Sequence, residues 1–177
     1  MQTLSQSIIV EAIRGATVEV FSTMLTLQLE IGEPYTEVVP AAPSEGVVSL
    51  VGLAGTWVGT GSVSCSAQLA CRISSQMLMT ELTAVDGEVL DAVAEVTNMI
   101  IGNVKTVLEG ELGPMGLSIP TVIFGKNFTT RGAGNGYWTV LPFRCGEESM
   151  EVKVCLEPSK QARASSPGFS QSFTVQS

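Results

Sequence analysis

The 177-residue chain contains no histidine, which removes every catalytic triad and every metal site that depends on an imidazole. It is also short of positive charge, with 9 Lys and Arg against 17 Asp and Glu and a net charge of −8. Phosphate backbones and anionic headgroups are bound through clustered Lys and Arg, so neither nucleic acid nor a membrane surface is an expected partner. Cys65, Cys71, Cys145 and Cys155 include no Cys-x-x-Cys pair, which argues against zinc and for free thiols buried as small hydrophobes in a reducing cytoplasm. No apolar run approaches the roughly 20 residues that span a bilayer. Glu11 and Arg14 interrupt the one N-terminal stretch that resembles a leader. A soluble, cytoplasmic chain without a signal peptide is expected.

What is present suffices for a core. Hydrophobic residues make up 45% of the chain and mean hydropathy is +0.34, too apolar for a disordered sequence. One domain is expected over residues 1–157. A Ser- and Gln-rich tail, 158–177, has little to bury and is expected to be disordered, apart from Phe173 to Val175.

Ile9, Ile13, Ala16, Val20 and Met24 recur at helical spacing and predict a first amphipathic helix over 5–26, with Ser5 and Ser7 as cap candidates. Leu27, Leu29 and Ile31 alternate with polar residues and predict a strand over 27–39 that ends near Pro34. A loop is expected over 39–46. Two β-rich runs from Val47 to Cys65, divided at Gly55, read as a hairpin with Trp57, Val63 and Cys65 on one face. Their glycines lack the G-K-[ST] of a phosphate-binding loop and are read as turns, bulges and close backbone approaches. Leu69, Ile73, Met77 and Leu78 predict a second helix over 66–79, its methionines filling core.

The stretch from Asp86 to Glu109 dominates the chain. At about 100° per residue, Val89, Val93, Val96, Ile100, Val104, Val107 and Leu108 fall on one side. Glu88, Asp91, Glu95, Asn98, Gly102, Lys105 and Glu109 fall on the other, so this is a long helix with a packed and a wet face, capped by Asp86 and ended by Gly110. Glu95 and Asn98, spaced i, i+3, point the same way and can present a carboxylate and an amide to one partner. Asn inside a helix costs roughly 0.5 kcal/mol against Ala, and Gly102 roughly 1 kcal/mol. A small residue there leaves room for another protein's backbone. After the helix come a turn at Gly113, Pro114 and Gly116, a strand over 119–124, a turn over 131–136, and a hairpin of 137–144 with 150–156. In the last strand Val152, Val154 and Leu156 point inward, and Glu151, Lys153 and Glu157 outward.

The run D-A-V-A-E-V-T-N-M-I-I-G-N-V-K-T-V-L, followed by L-S-I-P-T-V-I-F-G, resembles the E-x-x-N helix and next strand of the CheC/CheX family of chemotaxis phosphatases, most closely the CheX branch. F-S-T-M-L at the end of the first helix and the glycine-studded hairpin agree, so the resemblance covers roughly residues 5–157. CheC-type relatives carry two E-x-x-N helices; this chain has one. The fold expected is an α+β sandwich with helices covering a largely antiparallel sheet.

The resemblance implies hydrolysis of the aspartyl phosphate on a phosphorylated CheY-type response regulator. Asn98 would position the attacking water and Glu95 would dock the receiver through its active-site lysine. Asp91, Met99, Gly102 and Lys105, one or two turns to either side, are the remaining candidates for partner contact. No cofactor or metal is expected in this chain, and Mg²⁺ is expected on the receiver. Homodimerisation through an edge strand is implied as well. Two other readings use the same chain: a non-catalytic adaptor that binds a receiver or flagellar switch component through this helix face, and a small-ligand domain with its pocket between sheet and helices.

Overall fold

The structure, a computed structural model, describes residues 5–38, 44–130 and 136–160. In chain order its elements are α1 (Gln6–Val20), a π-helical turn (Phe21–Leu25), β1 (Glu30–Ile31), β2 (Tyr35–Val38), β3 (Ser44–Gly55), β4 (Trp57–Cys65), α2 (Ala67–Leu78), α3 (Gly87–Leu112), β5 (Met115–Leu117), β6 (Thr121–Phe128), β7 (Tyr137–Cys145) and β8 (Glu148–Pro158). The sheet order is β1-β7-β8-β4-β3-β5, with β2 also on β7 and β6 also on β3. Every pairing is antiparallel. The fold is the expected α+β one. The loop over 39–43, the turn over 131–135 and the tail over 161–177 lie outside the described residues.

Alternation along the strands separates two faces. Val47, Val51, Leu53, Val63, Leu141, Phe143, Val152 and Val154 join one core with the apolar rows of the helices. α1 lies against β7 and β8, and α3 against β3, β4, β5 and β6. α3 can sit so close because β4 carries a glycine beneath it: a Cβ on Gly61 would stand 2.7 Å from Ile101. Ile100, Ile101, Val104 and Leu108 are fully buried along this contact, each worth about 1.5–3 kcal/mol. On the other face Trp138, Val140 and Cys155 form a smaller cluster. Above Val140, two side chains of β2 reach across β7 to β8. Lys153 Nζ donates to Glu37 at 2.9 Å, and Tyr35 Oη donates to Glu151 at 2.7 Å.

Several local expectations are corrected. Met24 is 55% exposed and Leu25 is buried in its place, because the π turn inserts one residue and rotates the following side chains off the helical phase. Ser5 caps α1 by position without a side-chain bond to its backbone; its hydroxyl meets that of Ser7 at 2.6 Å. Pro34 splits the single strand expected over 27–39 into β1 and β2. β3 begins at Ser44 rather than Val47. Leu78 is half exposed and Met79 almost wholly so, at 93%; Met79 adopts φ 52° as the C-cap of α2, and the reversal of the chain throws its side chain outward. α3 runs through Gly110 to Leu112, and Gly113, with φ 81°, ends it. Where only a turn was expected around Gly116, Met115–Leu117 forms the short strand β5 by pairing with β3, and the strand expected over 119–124 is Thr121–Phe128, with Ile119 outside it and 87% exposed. Among the described residues, no helix is long and apolar enough to cross a membrane.

Candidate functional site

α3 starts at Asp86, whose carboxylate accepts from the Val89 N–H at 3.0 Å, and Glu88 in the first turn complements the dipole. Val89, Val93, Val96, Ile100, Val104 and Leu108 are buried as the periodicity requires. Val107 is not; it is 56% exposed and lines a groove of about 510 Å³ between α1 and α3 together with Asn103, Ala12, Gly15 and Ala16. α1 covers that flank of α3 incompletely and leaves Val107 at the opening. At about 100° per residue, Asn103 and Val107 lie some 140° and 180° around the helix from Asn98 and some 80° and 120° from Glu95, so the groove opens away from Asn98.

Glu95 is exposed and Asn98 half-buried. Neither side chain has a hydrogen-bond or ion-pair partner among the described residues. Between them, Thr97 is fully buried and returns its hydroxyl to the Val93 carbonyl at 2.8 Å, so the backbone under the pair is fixed by packing. α3 therefore holds out a carboxylate and an amide, side by side, free to engage something else.

The other candidates are distributed around this pair. Asp91 is exposed one turn before Glu95. Met99 is half-buried and packs in part on the core. Gly102 faces β5: a Cβ there would meet Leu117 Cδ1 at 3.6 Å, ordinary contact, so the space beside it belongs in part to this chain. Lys105 pairs with Glu109 at 2.8 Å, and Glu109 also accepts from the Met115 N–H at 2.8 Å. The bond to Lys105 and then the Met115 N–H hold the Glu109 carboxyl below its ordinary value. Lys105 thus takes part in the junction that ties the end of α3 to β5. The periodicity of α3 could not show this, because Met115 enters from the next element.

No three of His, Cys, Asp and Glu come together as a metal site among the described residues. The four cysteines are free and buried. Burial, then Cys71 and Glu148, pushes the Cys65 thiol up to about 12, and burial is the first cause of the upward shifts at Cys71 and Cys155. Thiols held protonated are poor nucleophiles and poor metal ligands.

One further element packs on α3 and was read from sequence only as a strand. α3 meets β5 at Glu109 and Gly102 and lies against β6 on the way back to its N-terminus.

The family described as "Chemotaxis phosphatase CheX" matches residues 47–144, a span that contains the whole of α3. The chain is 27% identical over 127 residues to the CheY-P phosphatase CheX of Thermotoga maritima, covering 71% of this chain and 81% of that one. A chemotaxis protein CheX from Desulfovibrio desulfuricans, solved by crystallography, superimposes with a TM-score of 0.75 at 30% identity, over 84% of this chain and 99% of that one. The fold is also shared, at 24% identity and a TM-score of 0.72, with the structure of the CheX–CheY–BeF3–Mg²⁺ complex from Borrelia burgdorferi, over 84% and 97% of the two chains.

Proposed function

Because the chain belongs to the chemotaxis phosphatase CheX family, we infer that it hydrolyses the aspartyl phosphate of a CheY-type receiver domain. The observation that carries this reading at residue level is the Glu95–Asn98 pair, unpartnered on a helix whose backbone is locked by the core beneath it.

Phosphoryl transfer proceeds through a loose transition state, so what the attacking water needs is position rather than a strong base. The Asn98 amide is suited to that: its oxygen can accept from a water and its nitrogen can donate to one, without a change of charge. Glu95, exposed beside it, accepts a charge-assisted hydrogen bond from a lysine of the receiver and sets the register of the two proteins. Magnesium belongs to the receiver, whose acidic residues hold it, and there it neutralises charge on the phosphoryl group. The chain supplies the amide, the docking carboxylate and the rigid helix that holds both. Work on such a receiver sets the site of action in the cytoplasm.

A homodimer is part of the same proposal. The outer edges of β2 and β6 pair with no other strand among the described residues, and open ladders recruit partners. Pairing through β2 leaves the β6 edge, and the margin of α3 beside it, free for the receiver.

The test is to incubate the protein with a panel of phosphorylated CheY-type receivers and follow phosphate release. Faster loss from at least one receiver, abolished by replacement of Asn98, is the expected result. Tight binding with no acceleration on any receiver would replace the phosphatase with an adaptor.

A further inference from the structure

We infer that Phe124 is a docking residue for the phosphorylated receiver, an apolar anchor that sets affinity and partner choice while Asn98 and Glu95 serve the reaction; this rests on the phosphatase reading above. Phe124 stands opposite Val47 in the β3–β6 ladder, and Val122 opposite Ser49. Val47 and Ser49 are both fully buried, and Val47 lies in the core beneath the helices. Residues directly opposite in a ladder share a face, so Val122 and Phe124 lie on the face that carries α3. Val122 packs in part on the core, whereas Phe124, one step further out, is 50% exposed.

The path of α3 brings its functional side to the same margin. Glu109 bonds to Met115 and Gly102 faces Leu117, which pairs with Leu53. Further back along β3 the place of β5 is taken by β6, paired from Leu50 to Ser44. The turns of α3 that precede Gly102, with Asn98 and Glu95, therefore pass along β6. A protein seated on the Glu95–Asn98 pair extends over Phe124.

Charge makes such an anchor necessary. Glu88, Asp91 and Glu95 are exposed on α3, and its single basic residue, Lys105, is engaged by Glu109. Glu95 is the one of these three carboxylates given a cationic partner in the docking proposed above, and Glu88 and Asp91 offer no attraction to a phosphate. Affinity must come from apolar burial, and buried aromatics at the centre of a contact supply it disproportionately. Lys126, two residues on and on the same face, is 78% exposed in a loose pair with Glu45 at 3.2 Å and provides the charged rim beside the apolar centre.

Phe124→Thr keeps strand preference and removes the aromatic surface. With a receiver that the wild type dephosphorylates, KM should rise about 10-fold or more while kcat stays within about 2-fold. Kd for the same receiver loaded with beryllofluoride and Mg²⁺ should weaken in parallel, and Phe124→Tyr should restore both. An unchanged KM and Kd, or a fall in kcat alone, overturns the inference. If the Thr variant does not fold, Phe124→Lys, suited to an exposed edge strand, replaces it. The two readings fail separately: a wild type that binds but does not hydrolyse defeats the phosphatase, and the Kd comparison still decides on Phe124. A wild type that neither binds nor hydrolyses defeats both.

Discussion

Asn98→Ala separates stability from catalysis, because the two effects are expected to have opposite signs. The side chain is half-buried and bonds to nothing else among the described residues, so truncation orphans no donor or acceptor and opens no core cavity. What remains is the helical preference of Ala over Asn, roughly 0.5 kcal/mol in favour of the variant, which should leave the melting temperature unchanged or slightly raised. The rate should move the other way. Loss of the group that holds the water in line is expected to cost about 100-fold or more in kcat, or about 2.7 kcal/mol in the barrier. KM should change by less than about 3-fold, since the contact with water is made chiefly in the transition state. The assay is steady-state phosphate release from a phosphorylated receiver, paired with a thermal melt of both proteins. Hydrolysis within about 3-fold of wild type would refute the role of the amide. A melting temperature lower by several degrees would show that Asn98 is structural after all.

Three further predictions follow from the geometry. Glu95→Ala should fold normally and lose both affinity and rate, and the Glu95/Asn98 double replacement should cost less than the sum of the singles, because both serve one docked arrangement; strict additivity in the rate would separate the two residues. For Lys153, burial lowers the pKa but the bonds to Glu37 and Glu151 outweigh it, and burial and Glu151 hold Tyr35 above its ordinary value. Both groups are kept protonated in the fold, so their contribution is complete below about pH 10 and is lost as pH rises through their raised native values. Urea midpoints should therefore fall above about pH 10, and Tyr35→Phe should flatten part of that fall. Finally, a thiol reagent at pH 8 should label the native cysteines slowly and all four readily in urea, with no loss of phosphatase activity on replacing them by Ser in a variant that still folds; rapid native labelling would contradict their burial.

How much of this was legible in the chain follows from the range of the forces involved. Helical and strand periodicity report which face of an element is dry, and that was enough for α3, for Asp86 as its cap and for the β3–β4 and β7–β8 hairpins. The adjacency of Glu95 and Asn98 is likewise local, since i and i+3 are neighbours on any helix. Periodicity failed where a local defect changed the phase, as at the π turn that replaced Met24 by Leu25, and where a dry face met an incomplete neighbour, as at Val107 beside α1. What no local pattern carries is which elements come together. The engagement of Lys105 through Glu109 with Met115, the seating of Ile101 on Gly61, the bridges from Tyr35 and Glu37 over β7, and the packing of α3 against β6 all join residues brought together by sheet pairing and helix packing. The sequence by itself determined the adjacency of the two proposed site residues, Glu95 and Asn98, and the helix that presents them. The exposure of those two side chains, and of Phe124 on the edge strand β6, was decided only by the tertiary structure, because exposure is a property of packed neighbours and not of any one stretch of chain.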